Sequence, residues 1–186
     1  VANRRNRLTQ GTGAATTVEP MNRKLRLTAD SQQALEPASS GTLRLVTPVA
    51  MPPIPYANWN GTLRQLDSKL ERPTLLVLWA SWCQPCLKEL QELTNAKDRL
   101  ERAGIDVIAL AVDGIGTDKG DPNDARKVLS KLKFPFRSER ATEHLLEGLQ
   151  KMHDRQAAVK RPLPLPASIL LNRDRELTSI YKGPLQ

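Results

Sequence analysis

The alternation of apolar and polar positions predicts a strand, a helix and a second strand in the middle of the chain. Residues 75–79 (Leu-Leu-Val-Leu-Trp) form the most hydrophobic run and predict a buried strand. Apolar residues then recur at three- and four-residue steps from Leu87 to Leu100, which predicts one amphipathic helix that Gly104 ends. Residues 105–112 are nearly all apolar and predict a strand buried on both faces. This order requires parallel strands joined by a helical crossover.

The pattern further along the chain adds two helices and a hairpin. An Asp-Pro pair at 121–122 is typical of an N-cap followed by the first helical residue. Residues 142–158 carry another amphipathic pattern, and residues 167–171 and 176–181 are predicted strands joined by a tight turn. The hairpin adds antiparallel strands to the parallel ones. The sequence therefore predicts an α/β fold with a mixed central sheet.

The first 42 residues differ from the rest of the chain because they show no sustained hydrophobic period. We predict a flexible basic extension or linker over residues 1–42 and a folded domain over 43–186, beginning with a short strand at 43–46. The first 45 residues carry seven basic and three acidic side chains, and the whole chain has a net charge of +8. No aromatic side chains interleave with these charges to stack on bases, so we expect a solvated linker and no nucleic-acid partner.

No run of about 18 apolar residues is present to span a membrane. The chain opens with Val1 rather than Met, and we therefore expect a fragment or a processed product. Tethering to a membrane through sequence that precedes Val1 stays open on this interpretation.

The two cysteines of the chain, Cys83 and Cys86, have the C-x-x-C spacing that can close or reopen a small disulfide ring. They lie where the predicted strand at 75–79 leads into the predicted helix. The free N–H groups and the dipole at a helix start favour a thiolate at Cys83, which we predict to be the attacking nucleophile. Cys86 is one turn further in, and we predict that it resolves the mixed disulfide. We expect no cofactor other than this redox-active disulfide.

The residues around the cysteines have predicted roles of their own. Pro85 suits the first helical turn, where its missing N–H costs nothing, and it stiffens the ring. Trp82 is predicted to cover one side of the sulfur pair. Gln84 carries no charge and should change the thiol pKa less than a histidine would.

Residues 76–86 (LVLWASWCQPC) together with 165–168 (LPAS) resemble the thioredoxin superfamily. Over about residues 50–183 the chain is most similar to the TlpA/ResA-like extracytoplasmic thiol:disulfide oxidoreductases. The resemblance implies a three-layer α/β/α fold and dithiol–disulfide exchange, often the reduction of client proteins outside the cytoplasm, with an upstream thiol donor. It also implies a cis peptide bond at Pro166 in front of the disulfide, with Leu165 beside it at the client-binding surface.

Two positions separate the chain from cytosolic thioredoxin. Val77 stands where thioredoxin carries a buried aspartate. Glu89, one helical turn after Cys86, stands where ResA-like proteins have a glutamate implicated in tuning the thiols. The alternative is a solvated Glu89 beside Lys88.

The chain also departs from the family pattern. Arg175 occupies a hairpin position where the family often has glycine, so we expect an altered or strained turn. The given sequence ends at residue 186, where a thioredoxin fold normally continues into a final helix. We therefore expect either a truncated chain, in which one sheet face loses part of its cover, or an amino-terminal segment that fills in. Residues 3–8 weakly resemble the segment that joins FG-GAP/ASPIC-type repeats to an appended thioredoxin module.

Three other interpretations of the function of the two cysteines remain. A thiol peroxidase of related fold needs a P-x-x-x-T-x-x-C setting that residues 76–83 lack. A redox-inert or metal-carrying interaction module is a second alternative, although copper carriers of this fold typically use C-x-x-x-C plus a histidine. A structural zinc site needs four ligands, and His144 and His153 are nine residues apart rather than the three to five of a zinc finger. We predict no metal site.

Overall fold

The computed structural model describes residues 41–116, 120–156 and 163–183. Eight strands and four helices lie in these ranges: β1 Thr42–Ala50, β2 Pro55–Ala57, β3 Leu63–Gln65, β4 Thr74–Trp79, α1 Gln84–Asn95, α2 Lys97–Arg102, β5 Asp106–Ala111, α3 Pro122–Leu132, β6 Arg137–Arg140, α4 Glu143–Gln156, β7 Ala167–Leu171 and β8 Glu176–Lys182. The predicted extension falls outside the described residues except for its last two positions, and Thr42 begins β1. Residues 3–8 also lie outside them.

All eight strands form one mixed sheet in the order β1-β8-β7-β4-β5-β6-β2-β3. The central strands β4, β5 and β6 are parallel, and every other neighbouring pair is antiparallel. All six residues of β4 are buried because the strand has neighbours on both edges and helices on both faces. The mixed α/β sheet predicted from the sequence is confirmed.

Helices cover the two faces of the sheet, as the alternation of side chains along β4 shows. Leu75 and Val77 lie in one apolar cluster with Leu93 of α1. Leu78 points to the other face, where it lines a small cavity with Leu149 of α4. The structure therefore has the three-layer α/β/α arrangement that the family resemblance implies.

The long helix predicted after the cysteines is two helices, α1 and α2, and the prediction of one continuous helix is wrong. The break falls at Ala96, whose backbone (φ −87°, ψ 4°) leaves the helical region. The N–H of Ala96 donates to the carbonyl oxygens of both Glu92 and Leu93, at 2.9 and 3.1 Å. Bifurcated bonds of this kind are common where a helix ends. The apolar stripe crosses the break, so it could not reveal the interruption.

The predicted starts of α3 and α4 are confirmed by their capping bonds. The Asp121 side chain accepts the N–H of Asn123 at 2.8 Å, and Pro122 occupies the first helical position. Thr142 accepts the N–H of Leu145 through its hydroxyl at 3.2 Å. The last residues of the predicted 142–158 helix lie outside the described part of the chain.

The strands at the sheet edges differ most from the sequence prediction. β1 spans nine residues rather than four, and its pairing with β8 is interrupted between Arg44 and Val49. Pro48 lies inside that interruption, where no hydrogen bond to β8 requires the N–H that proline lacks. The hairpin of β2 and β3 was not predicted as strands, because each has only three residues.

β8 is the last element of the described residues, and the sheet beside it has an open groove on the α1 face. This α1 groove has a volume of about 840 Å³. Its lining combines apolar side chains with polar and charged ones, Glu89 among them; the apolar and aromatic members include Leu75, Leu93, Leu100, Ile105, Leu170 and Tyr181. Reduced cover on one sheet face was expected from the sequence. Within the described ranges, no helix has the length and apolar character needed to cross a membrane.

Candidate active site

Cys83 and Cys86 form a disulfide at the junction of β4 and α1, with their Cα atoms 5.2 Å apart. Cys83 is the N-cap of α1, with an extended backbone (φ −88°, ψ 98°). Its Sγ accepts the N–H of Cys86 at 3.3 Å. Pro85 lies in the first turn, where a proline costs no hydrogen bond. The strand-to-helix position predicted for the pair is confirmed.

The two sulfur-bearing residues differ in their access to solvent. Cys86 is fully buried, whereas Cys83 is 6% exposed. Around Cys83, Gln84 and Pro85 are exposed, and 56% of Trp82 is exposed. The exposed surface beside the pair thus lies on the Cys83 side.

The start of α1 favours negative charge at Cys83. No acidic side chain lies in the first turn of the helix to offset the positive end of its dipole. The N–H of Cys86 already points at the Cys83 sulfur. A thiolate is favoured at a helix start of this kind, and Cys83 rather than Cys86 occupies it.

Pro166 immediately precedes β7. The Leu165–Pro166 peptide bond is cis, as the sequence comparison predicted. Pro166 is buried, and its carbonyl accepts the N–H of Gly183 at 3.0 Å. Ala167 pairs with Leu78, so Pro166 lies at the end of β4 that leads to the cysteines. Leu165 precedes it as a half-buried residue.

Glu89 is completely buried on the inner face of α1, one turn after Cys86. Ser168 of β7 donates its hydroxyl to Oε1 of Glu89 at 3.0 Å. Within the described residues, Oε2 is buried without a hydrogen-bond partner. Burial raises the pKa of Glu89 from 4.5 to about 7, the bond from Ser168 lowers it, and nearby Glu92 raises it. The alternative of a solvated Glu89 is wrong, because the side chain points away from Lys88 and into the protein.

Val77, at the position where thioredoxin has a buried aspartate, provides no carboxylate on β4. It is fully buried in the apolar cluster with Leu75, Leu93 and Val107. The buried acid of this site therefore comes from the helix, at Glu89, and not from the strand.

Two functional contacts were missed by sequence reasoning. The first is Ser168, the polar residue of an otherwise apolar β7. The second is Asp113, which is 1% exposed and follows β5 by two residues. Both of its carboxylate oxygens accept the N–H of Ser81 at 3.1 Å, and Oδ1 also accepts the Ser81 hydroxyl. One signal was available: the carboxyl ends of the parallel strands β4 and β5 must lie side by side.

No group of three or more His, Cys, Asp or Glu side chains in the described ranges has the geometry to hold a metal ion. His144 is exposed, whereas His153 is buried against the α4 face of the sheet. The two histidines therefore do not converge on the cysteines, which lie together in their disulfide.

The chain belongs to the AhpC/TSA family, whose model matches residues 49–182. Among characterised proteins it is similar to the thiol-disulfide oxidoreductase ResA of Bacillus thuringiensis, with 27% identity over 108 residues. That match covers 58% of this chain and 53% of ResA, so the chain spans about half the length of the curated relatives it matches.

Solved structures show the same fold at lower sequence identity. A thiol:disulfide interchange protein of the thioredoxin family from Chlorobium tepidum superposes with a TM-score of 0.58 at 15% identity, covering 76% of this chain and 90% of that one. A secreted thiol-disulfide isomerase from Corynebacterium glutamicum superposes with a TM-score of 0.60 at 16% identity, covering 81% and 87%. The fold is thioredoxin-like.

Proposed function

We propose that this domain is a thiol:disulfide oxidoreductase that exchanges disulfides with client proteins. One observation carries the proposal: a C-x-x-C disulfide caps α1, with Cys83 6% exposed between exposed neighbours and Cys86 fully buried. The similarity to ResA supports it, since that relative is named for the same chemistry.

The reaction in the reducing direction begins with the Cys83 thiolate. It attacks one sulfur of a client disulfide, a bond forms between Cys83 and that sulfur, and the other client sulfur leaves as a thiolate. Cys86 then loses its proton and attacks Sγ of Cys83. The mixed disulfide breaks, the second client sulfur leaves, and the Cys83–Cys86 disulfide forms. The client gains two electrons and two protons, which an upstream dithiol donor must restore to the domain.

The proton of Cys86 has a nearby acceptor in Glu89. The two residues lie one turn apart on the inner face of α1, and both are buried. A pKa of about 7 lets Glu89 accept a proton at neutral pH and release it again. We therefore assign to Glu89 the deprotonation of Cys86 during resolution and the return of the proton in the reverse direction.

The proposed client contacts lie around Cys83. Trp82 and Gln84 are its exposed neighbours in sequence, and Leu165 and Pro166 immediately precede β7 at the end of the sheet that leads to the cysteines. We assign these four residues to client binding. Trp82 supplies apolar area, and Gln84 and the backbone at Leu165 supply polar contacts.

The setting of the reaction is proposed to be extracytoplasmic, with the domain acting as a reductant. Support comes from the C. glutamicum neighbour, which is described as secreted. A membrane tether supplied by sequence before residue 1 would suit this setting. We expect no cofactor beyond the disulfide.

A trapping experiment tests the proposal. In the reduced Cys86→Ser variant, Cys83 should form a stable mixed disulfide with a disulfide-bonded model peptide, and Cys83→Ser should form none. The unaltered domain should reduce insulin disulfides. A Cys86 thiol that is alkylated faster than Cys83 at neutral pH would contradict the assigned roles. Peroxide consumption without insulin reduction would assign a thiol peroxidase, and failure in both assays with tight metal binding would assign a metal-carrying module.

A further inference from the structure

Two buried polar side chains from adjacent layers of the fold, the sheet and α1, meet one helical turn beyond Cys86. Ser168 and Glu89 are both 0% exposed, and the Ser168 hydroxyl lies 3.0 Å from Oε1 of Glu89. Ser168 pairs with Val77 of β4 on one side and with Tyr181 of β8 on the other, so it is central in the sheet. A hydroxyl in such a place is costly unless it is hydrogen-bonded. Glu89 supplies that bond.

Ser168 follows the cis-proline of the site by two residues. Pro166 is also buried and immediately precedes β7, at the end of the sheet that leads to the cysteines. One short segment thus carries both the cis-proline and the serine that binds the glutamate of α1.

The Ser168 hydroxyl can serve both protonation states of Glu89. A hydroxyl carries one donor and two acceptor lone pairs, so it can donate to a carboxylate or accept from a protonated acid. The bond to the ionised form is the stronger, because it is charge-assisted. Ser168 therefore favours the ionised, proton-accepting form of a group that burial otherwise drives towards the protonated form.

The other charged and titratable groups near Glu89 line the α1 groove. Lys88 and Glu92 come from α1, Arg99 from α2 and Tyr181 from β8. Among the described residues, Ser168 is nonetheless the donor that reaches the carboxylate, and Oε2 has none. Within the described residues, Ser168 thus makes the one hydrogen bond that favours the ionised form of Glu89, against burial and the charge of Glu92.

We propose that Ser168 is a positioning residue for disulfide exchange: its hydroxyl fixes the Glu89 carboxylate against β7 and keeps it competent to take the proton of Cys86. This inference rests on the proposed function and adds to it a residue that touches neither the client nor the sulfurs. It predicts that removing the hydroxyl changes the pH at which the site works rather than simply lowering activity at every pH.

The test is the pH dependence of single-turnover client reduction between pH 5 and 9. We expect Ser168→Ala to move the inflection near neutrality by roughly one pH unit to the alkaline side and to slow resolution at pH 7 roughly fivefold. Glu89→Gln should remove the inflection. Ser168→Ala combined with Glu89→Gln should behave as Glu89→Gln alone, because the serine acts through the glutamate.

Matched variants separate the effect of the hydroxyl group from the effect of side-chain volume. Ser168→Thr keeps the hydroxyl and should keep the inflection of the pH profile. Ser168→Val introduces a side chain of nearly the same volume as threonine but without the hydroxyl, and it should shift the inflection. Ser179→Ala provides the control, since Ser179 is also buried, pairs with Leu170 on the same face and makes no hydrogen bond to Glu89. It should leave the profile unchanged. The Thr and Val pair still decides the question if Ser168→Ala does not fold.

Two outcomes would overturn the inference. One is a Ser168→Val pH profile that is not shifted: its inflection stays where it is in Ser168→Thr, or its rate is lowered equally at all pH values. The other is an additive effect of the Ser168 and Glu89 changes. Failure of the proposed function looks different: the unaltered domain would then reduce no insulin, and Cys86→Ser would trap no mixed disulfide.

Discussion

The buried carboxylate of Glu89 is the feature of this site that residue type alone describes least well. A glutamate next to Lys88 on an amphipathic helix normally faces solvent. Glu89 instead shares the inner face of α1 with Cys86, Leu90 and Leu93. The i, i+3 spacing from Cys86 permits this placement, but only packing against Ser168 of β7 makes it tolerable. The residue most important for proton transfer is thus also a cost to stability.

The first prediction concerns that cost. The folded-state pKa of Glu89 is about 7, above its ordinary 4.5, so the folded state binds the proton more tightly than the unfolded state. The contribution of Glu89 to stability is full below pH 4.5 and is lost as the pH rises to 7. Glu89→Gln should therefore raise the free energy of unfolding at pH 8 by up to about 3 kcal/mol, with a gain that shrinks below pH 7. Urea unfolding of the oxidised protein at pH 4.5 and 8 measures this.

The control is Glu71→Gln in the exposed segment that precedes β4. It should change the unfolding free energy by less than about 0.5 kcal/mol at either pH. Equal stabilities of the unaltered protein and Glu89→Gln at pH 8 would show that Glu89 is not buried as described.

At the scale of the elements, two described residues other than glycine have a left-handed backbone conformation, each in a turn and each for a different reason. Lys133 ends α3 with φ 49°, and its N–H donates to the carbonyls of Leu129 and Ser130. Arg175 has φ 57° in the turn between β7 and β8. Its guanidinium donates to the carbonyl oxygens of Leu66 at 3.0 Å and Met51 at 3.4 Å. Arg175 therefore ties the hairpin to the segments that follow β1 and β3.

The second prediction is that glycine has opposite effects at these two positions. Lys133→Gly should stabilise the protein by about 1 kcal/mol, because it relieves the backbone and removes no buried contact. Arg175→Gly gains similar relief but leaves two carbonyls without a charged donor. It should destabilise by about 1–2 kcal/mol net. Thermal and urea unfolding of the two variants test the difference.

Arg175→Lys complements this comparison, since it keeps the charge and the backbone strain but cannot reach both carbonyls as a planar fork does. We expect it to be less stable than the unaltered protein. Stabilisation by Arg175→Gly would mean that the guanidinium bonds contribute less than the backbone strain costs. The strained turn itself was expected from the family comparison and is confirmed by φ.

At the scale of the whole molecule, the active-site loop is held by a residue 32 positions away. Asp113 lies beyond the end of β5, and Ser81 lies beyond the end of the adjacent parallel strand β4. The buried Asp113 carboxylate receives both the N–H and the hydroxyl of Ser81. Two loops far apart in sequence thereby fix the backbone that leads into Trp82 and Cys83.

The third prediction is that Asp113→Ala destabilises the oxidised protein by about 1–3 kcal/mol, because it leaves the half-buried N–H and hydroxyl of Ser81 without their acceptor. It should also slow insulin reduction at every pH, since the Cys83 loop loses its anchor. Urea unfolding and the insulin assay measure the two effects. Asp124→Asn, on an exposed helix face, should change neither appreciably. Normal stability with normal activity in Asp113→Ala would exclude an anchoring role.

The sequence by itself determined the strands β4 and β5, the starts of α1, α3 and α4, and the redox pair, because each depends on local chemistry. The apolar runs of β4 and β5, the Asp121 cap of α3 and the C-x-x-C spacing are all readable along the chain. The short strands β2 and β3 were not, since three residues carry no period.

Only the tertiary structure decided what surrounds the disulfide. Ser168 meets Glu89 across two layers, and Asp113 meets Ser81 across two loops, at separations of 79 and 32 residues. No periodicity records such contacts, because they depend on which strands become neighbours in the sheet. Burial then changes the chemistry: the same Glu89 that the sequence leaves undecided between solvated and functional becomes, once desolvated, an acid with a pKa of about 7.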